Sequence, residues 1–339
     1  MDIVAQRSII CPEELIREIL SWLPVRSLFQ FKFKCVSKSW DITSDPYFKT
    51  KNQSRQVNSL RFLFAHTNFC RPQNFHNLYS NSSLSLEEDD VQNIDDLSSE
   101  NTCFHILCGS CDGLVFIRLP TRYTHELLLL WNPSTRESIH IHFLIFGLRN
   151  STFGFGYDPT THDYKILAIH NSKSQTQCGI LVLKSGSWRN VYIETPHIFR
   201  TLKNSFGFKD PLAFVHGAFH WILCNLCVGS FNISNEVYTM IPLSEQMYSY
   251  LSLAISRDYH LSIIDGMLCF SSACEVDGEY TFTLFADGDV LFACRNAICD
   301  SVRTSKGRFR LWCDSLVKRG DMVSIITFNE SLIDPKTLF

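Results

Sequence analysis

The sequence predicts a small all-α module of short helices followed by a large all-β domain with a propeller-like texture. Three observations carry that expectation. Apolar residues recur at helical spacing between Pro12 and Pro24. From residue 103 onward, short apolar runs alternate with turn pairs about every ten residues. One strand–turn pattern also returns along the chain at multiples of about 50 residues, the period of a unit of several short strands. A β-sandwich has similar strand spacing and stays open as an alternative.

The helical start comes first. Pro12 suits the first turn of a helix, where no amide donor is missed. Glu13 and Glu14 then lie at the positive end of the helix dipole. Leu15, Ile16, Ile19, Leu20 and Leu23 fall on one stripe. Pro24 ends the helix, since it lacks an amide donor and clashes with the preceding turn. A second apolar run follows with Val25, Leu28, Phe29, Phe31 and Phe33. Helices this short cannot build a core alone, so part of their apolar surface must be buried on something else.

The rest of the chain divides by texture. Residues 51–102 form a connecting segment: a strand near Leu60, Phe62 and Phe64, then a polar tract 71–102 with the acidic run Glu87 to Asp90, expected as one long surface loop. Residues 103–339 form the β domain. Strands are expected at Leu114–Leu119, Glu126–Trp131, Phe153–Tyr157, Tyr164–Ile169, Ile180–Lys184, Ala213–Val215 and Ala218–Leu223. Asp112-Gly113, Asp265-Gly266, Asp277-Gly278 and Asp287-Gly288 mark tight hairpins, with His216-Gly217 in a like position, because glycine tolerates positive φ. The turn Asn132-Pro133-Ser134-Thr135 is echoed by Asp158-Pro159-Thr160-Thr161 and by Asn232-Ile233-Ser234-Asn235. Trp131, Trp188 and Trp221 are expected to fill the packing between sheets.

Composition narrows the function classes. The chain has 339 residues, 45% of them hydrophobic, enough for a sizeable core and by length for two domains. A net charge of −3 offers no basic field for nucleic acid. No apolar run is long enough to span a membrane, and the first residues lack the apolar stretch of a signal peptide. Fourteen scattered cysteines read as reduced thiols. A cytoplasmic or nuclear location, or both, is therefore expected.

Reactive chemistry finds little support. Cys108/Cys111 and Cys224/Cys227 are C-x-x-C pairs, but they lie too far apart for a zinc finger, and no βαβ pattern frames a redox pair. His140 and His142 share a strand face without a third ligand. Gly154-Phe155-Gly156 lacks the third glycine and following helix of a dinucleotide loop. No catalytic residue, metal or cofactor is expected.

The helical start resembles the F-box, the module by which substrate receptors hang on the Skp-type adaptor of a cullin ubiquitin ligase. The matching residues are Pro12-Glu13-Glu14-Leu15-Ile16, Leu23-Pro24-Val25, Ser27-Leu28, Cys35 to Trp40, and Asp45-Pro46-Tyr47-Phe48. Phe31-Lys32-Phe33-Lys34 departs from the pattern as a local duplication; two extra residues rotate a helix by about 200°, shifting Val36 and Trp40 unless a loop absorbs them. The β half is similar to the F-box-associated domain of plant F-box proteins. Here the matches are Gly109 to Leu114, Leu130 to Arg136, Phe153 to Pro159 with Asp163 to Lys165, Gly186 to Arg189, His216 to Trp221, Ile264 to Leu268 and Phe328 to Leu332. The usual strand motif between Cys274 and Asp287 is missing, so the last blade is expected to be incomplete.

The resemblance implies a non-catalytic substrate-recognition subunit of a Skp-cullin-F-box ubiquitin ligase. It implies adaptor contacts through Pro12, Leu15, Ile16, Ile19, Leu20, Leu23, Pro24, Val25, Leu28, Val36 and Trp40. The protein target is expected on loops of the β domain, with 71–102, 170–178 and 194–211 as the candidates. A scaffold without a ligase role, and S-locus-type recognition of a pistil ribonuclease within the same family, are the alternatives; a thiol or metal enzyme is the competing class.

Overall fold

The computed structural model describes residues 12–30, 45–55, 60–68, 76–81, 92–93, 106–119, 127–143, 151–171, 176–193, 211–223, 227–242, 258–264, 267–276, 279–286, 289–295, 302–304, 307–309 and 321–339. Three helices open it: α1 Glu13–Leu20, α2 Val25–Gln30 and α3 Pro46–Arg55. Pro12 stands just outside α1 with extended backbone, not within its first turn, and its carbonyl accepts from the amides of Leu15 and Ile16. α1 stops at Leu20, ahead of Pro24.

The last carbonyls of α1 need partners beyond the helix: the following turn supplies them for Arg17, Ile19 and Leu20 through the amides of Ser21, Trp22 and Leu23, and α3 ties down Glu18 and the turn itself. The buried Asn52 side-chain amide donates to the carbonyls of Ser21 (3.1 Å) and Leu23 (3.0 Å), and Arg55 donates to that of Glu18 (3.2 Å). A cation at a helix C-terminus also suits the dipole. Inside this bracket Leu20, Val25, Leu28 and Phe48 form a core with Leu332 from the far end of the chain, and Ile16 and Leu23 pack against it. Leu332 is thus part of the outside surface that the short helices require.

The remaining elements are strands. They run β1 Leu60–Asn68, β2 His76–Asn81, β3 Gln92–Asn93, β4 Ile106–Cys111, β5 Leu114–Leu119, β6 Leu127–Trp131, β7 Ser138–Ile141, β8 Ser151–Asp158, β9 Asp163–Asn171, β10 Thr176–Val182 and β11 Ser187–Val191. They continue as β12 Ala213–Val215, β13 Ala218–Ile222, β14 Val228–Asn232, β15 Tyr238–Ile241, β16 Asp258–Ile264, β17 Met267–Val276, β18 Glu279–Ala286, β19 Asp289–Arg295, β20 Val302–Thr304, β21 Gly307–Phe309 and β22 Asp321–Asn329. They pair as antiparallel four-stranded sheets ordered β22-β1-β2-β3, β4-β5-β6-β7, β8-β9-β10-β11, β12-β13-β14-β15 and β16-β17-β18-β19, with β20-β21 as a two-stranded remainder. The first strands of successive sheets touch: β22 with β4, β4 with β8, β8 with β12, and β12 with β16. The molecule is therefore a few helices beside a large antiparallel β domain.

Several expectations change here. β1 lies in the segment expected to be a connector, yet it pairs along its whole length with β22, so the sheets begin at residue 60. The polar tract 71–102, expected as one loop, carries β2 and β3. The expected strand Ile180–Lys184 ends at Val182, where a 3-10 turn Leu183–Ser185 begins. Between Cys274 and Asp287, where the family motif is missing, β18 pairs with both its neighbours, so this sheet has all four strands. Tyr280, Thr281, Phe282, Thr283 and Phe285 are strand-favouring residues whatever motif they replace.

The packing between sheets follows the alternation along the strands. Phe116, Phe153 and Phe155 share one buried cluster; Leu107, Val115, Ile117, Leu129 and Trp131 face the other way into a second with Leu63 and Phe328; Phe219, Trp221 and Phe231 centre a third. Trp188 packs edge-on to Phe143 with ring centroids 4.8 Å apart. All three tryptophans therefore serve packing.

Candidate docking surface

α1 is amphipathic, but its apolar residues divide between two destinations. Leu20 is buried in the helical core, while Leu15 and Ile19 are 54% and 62% exposed. They stand one turn apart on one face. Trp22, in the turn after α1, continues that face at 63% exposure, and Tyr47 at the start of α3 is 73% exposed. The Arg55 guanidinium lies over the Trp22 ring, 4.1 Å from its centroid, a cation–π contact that holds the indole outward.

Charge surrounds this face. Glu18 is paired with both Lys51 and Arg55, and their hydrogen bonds pull its carboxyl down to about 2. Arg17 reaches Asp45 at 2.6 Å and Glu13 at 3.6 Å. These pairs stitch α3 to α1 around an exposed apolar strip. Such a strip with a charged rim is what a protein-docking site looks like.

The residues expected to meet the adaptor therefore fall into groups. Leu15 and Ile19 are exposed, and Pro12 and Pro24 flank them at the surface. Ile16 and Leu23 are half-buried against the helical core. Leu20, Val25 and Leu28 are buried in the free chain against Phe48 and Leu332, because short helices must fill their own interior first. Val36 and Trp40 lie outside the described residues, as does the Phe31 to Lys34 duplication. Trp22, three residues after Ile19, is exposed beside Leu15 and Ile19 although the expected set did not include it.

The β domain shows how its turns interlock. In the Asn132 and Asn232 turns the side-chain oxygen accepts amides two and three residues on, and the backbone closes identically: Arg136 to Asn132 at 2.8 Å and Glu236 to Asn232 at 2.9 Å. Arg136, Glu236 and His162, each four residues after the lead Asn or Asp, all take positive φ. The internal echo of the sequence is thus a repeated backbone turn. The hairpins at Asp112-Gly113 and His216-Gly217 both have two residues at positive φ, as a tight primed turn demands. The other Asp-Gly pairs lie outside the described residues.

Each turn is also tied to a neighbouring sheet. The Asn132 amide donates to the carbonyls of Ser331 (3.0 Å) and Ile333 (2.8 Å). Asp158, fully buried, receives Lys165 at 2.7 Å and the Ser234 hydroxyl at 2.7 Å, and Lys165 donates to the Ile233 carbonyl at 2.9 Å.

Among the described residues, reactive groups are not assembled. Among the described residues no group of three His, Cys, Asp or Glu could hold a metal. Cys108, Cys111, Cys178 and Cys227 are not in disulfides; burial pushes Cys111 upward and Cys178 up to about 12, away from thiolate chemistry. Cys224 lies outside the described residues. His140 and His142 are both exposed. Gly154 and Gly156 have a packing role: a Cβ on Gly154 would stand 2.6 Å from the Phe219 ring, and one on Gly156 2.5 Å from that of Phe214. The candidate loop 194–211 lies outside the described residues except for residue 211; of 170–178, residues 170–171 end β9 and 176–178 begin β10, and 172–175 lie outside the described residues. Among the described residues no helix is long and apolar enough to cross a membrane.

Residues 60–272, more than half of the chain, match the family described as the F-box associated beta propeller domain, and residues 10–40 match the F-box domain. The chain belongs to the plant F-box proteins that carry an F-box-associated domain. Arabidopsis thaliana relatives named as F-box proteins include At1g47790, 26% identical over 275 residues (75% of this chain, 64% of the relative). At3g52320 is 30% identical over 254 residues (70% and 61%), and At1g48060 is 27% identical over 222 residues (62% and 57%). The matched part is under two thirds of the length of each relative. Among solved structures, TolB from Acinetobacter baumannii aligns at a TM-score of 0.38 with 10% identity over 73% of this chain and 69% of TolB, too slight a likeness to speak for the fold. In this F-box family, members are typically non-catalytic adaptors.

Proposed function

We propose that this chain is the substrate-recognition subunit of a Skp-cullin-F-box ubiquitin ligase. The observation that carries the reading is the apolar strip Leu15, Ile19 and Trp22, left in solvent on a helical module within the F-box match. Burial of each large aliphatic side chain on a partner contributes about 1.5–3 kcal/mol, so a few such residues suffice for docking. Leu20, Val25 and Leu28 keep the module folded. Pro12, Ile16, Leu23 and Pro24 border the strip, and Val36 and Trp40 extend the docking segment along the chain.

On this reading the ubiquitin chemistry belongs to the partner enzymes. The chain acts by proximity, raising the effective concentration of a bound protein near the charged enzyme. The sheets are blades of a propeller, with β22 completing the first one. The target is read by loops on that scaffold, since loops vary without disturbing the core; the tract 71–102 and loops 170–178 and 194–211 are assigned that role. The working compartment is the cytoplasm, the nucleus or both.

Capture of a purified Skp-type adaptor by the full chain tests the reading. Ile19→Asp should weaken capture at least about tenfold, with the thermal midpoint little changed, because Ile19 is mostly exposed in the free chain. A wild-type chain that fails to bind the adaptor would make it a scaffold without a ligase role.

A further inference from the structure

The segment after β22 touches both halves of the molecule. Glu330 is buried and pairs with Arg61 of β1 at 2.5 Å. Ser331 is buried, and its carbonyl and hydroxyl both accept from the Asn132 amide, at 3.0 and 3.2 Å. The Ile333 carbonyl accepts from the same amide at 2.8 Å. Between these anchors Leu332, 4% exposed, inserts among Leu20, Val25, Leu28 and Phe48 of the helical module. Gly113 packs on this segment as well, since a Cβ there would stand 2.4 Å from the Asn329 carbonyl and 2.6 Å from Ser331.

We infer that Glu330 to Ile333 is a strap that fastens the adaptor-docking helices to the β domain, with Leu332 as a positioning residue for docking. The physical reason lies in the size of the helical module. Helices of eight, six and ten residues bury too little among themselves to hold one arrangement. Leu332 completes their interior from outside. The backbone on either side of it is held by the β1 arginine and the Asn132 turn, so its position is set by the β sheets. The face bearing Leu15 and Ile19 is the outer surface of the helix whose inner surface rests on Leu332. Order in the docking face, and its attachment to the domain that carries the target, therefore depend on residues some 300 positions away in sequence. The inference rests on the adaptor reading only for its consequence in binding; the strap itself is a contact of the free chain.

The test compares full-length wild type with Leu332→Ala and Leu332→Met, using amide hydrogen exchange and capture of a purified Skp-type adaptor. In the alanine variant, exchange in α1 and α2 should rise at least about tenfold while β5 and β6 keep their protection, because the lost packing is local to the helices. Adaptor affinity should fall at least about tenfold in parallel. Methionine, close in volume, should restore both. Equal exchange in α1 and α2 between wild type and alanine variant would overturn the strap, as would a rise of the same size in β5 and β6. Should the alanine variant not fold, Leu332→Val, a smaller truncation, is read by the same pattern. Failure of the wild type to bind the adaptor would instead sink the adaptor reading, and exchange would still decide the strap.

Discussion

Asn132 and Asp158 begin related turns, and the difference between amide and carboxylate follows from what each must face. Asn132 looks at the carbonyls of Ser331 and Ile333, so it needs donors. Asp158 looks at Lys165 and three hydroxyls, those of Thr160, Thr161 and Ser234, so it needs acceptors. Lys165 then donates to the Ile233 carbonyl, the bond that the Asn132 amide makes to Ile333 in the other turn. Burial opposes the charge on Asp158, but the hydrogen bonds from Lys165, Thr160 and Ser234 outweigh it and hold the carboxyl well below the usual carboxylate range. Asp158→Asn leaves Lys165 buried with its main counter-charge gone, and should cost about 3 kcal/mol in a denaturant titration at neutral pH. The pH dependence has a definite sign. A carboxyl with a depressed folded-state pKa contributes stability that is complete above its unfolded value near 4, roughly, and declines as pH falls below it. Wild type should lose stability in that acid window more steeply than the asparagine variant does.

At the scale of elements, close approach explains what periodicity could not. β8 presents Gly154 and Gly156 on one face, and the aromatic rings of Phe219 and Phe214 from the adjoining sheet occupy the space a side chain would take. Gly156→Ala should therefore overpack this contact and cost about 1–3 kcal/mol, read as a lower thermal midpoint; an unchanged midpoint would show that Phe214 can swing aside. The helices show the same dependence on neighbours. α3 is a polar helix with little apolar face of its own, yet it covers α1 with Phe48, Asn52 and Arg55. Glu18 is central to that junction, because two cations of α3 converge on its carboxyl.

At the scale of the whole molecule, β1 and β22 pair in register from Leu60 with Asn329 to Asn68 with Asp321, joining the two ends of the β domain. The core residues Leu63 and Phe328 come from these two strands and share one cluster with Trp131. A chain ending at residue 320 loses this strand, the strap behind it and the Leu332 plug together. It should unfold without a single cooperative transition and be cut by protease under conditions where the full chain survives. Because this pairing closes a loop of most of the sequence, it must wait on loop-closure entropy, which makes the fold a slow one to complete.

The sequence alone determined what depends on local chemistry. Apolar spacing marked α1, alternation and Asp-Gly pairs marked β5, β12 and the 112–113 hairpin, and the Asn132, Asp158 and Asn232 turns were visible as an echo because each closes on its own side chain and backbone. The apolar stripe that holds Leu15 and Ile19 was legible from helical spacing. Tertiary structure decided which members of that stripe face out. Leu20 of that stripe, with Val25 and Leu28 of α2, turns inward because Phe48 and Leu332 are there to meet them, and no periodicity in either helix records a leucine at position 332. It likewise decided that Trp22 stands outward under Arg55, that Gly154 and Gly156 make room for rings of another sheet, and that a strand at residue 60 belongs with one at 321. Local propensity acts over a few residues, whereas burial is settled by whatever surface arrives from elsewhere in the chain.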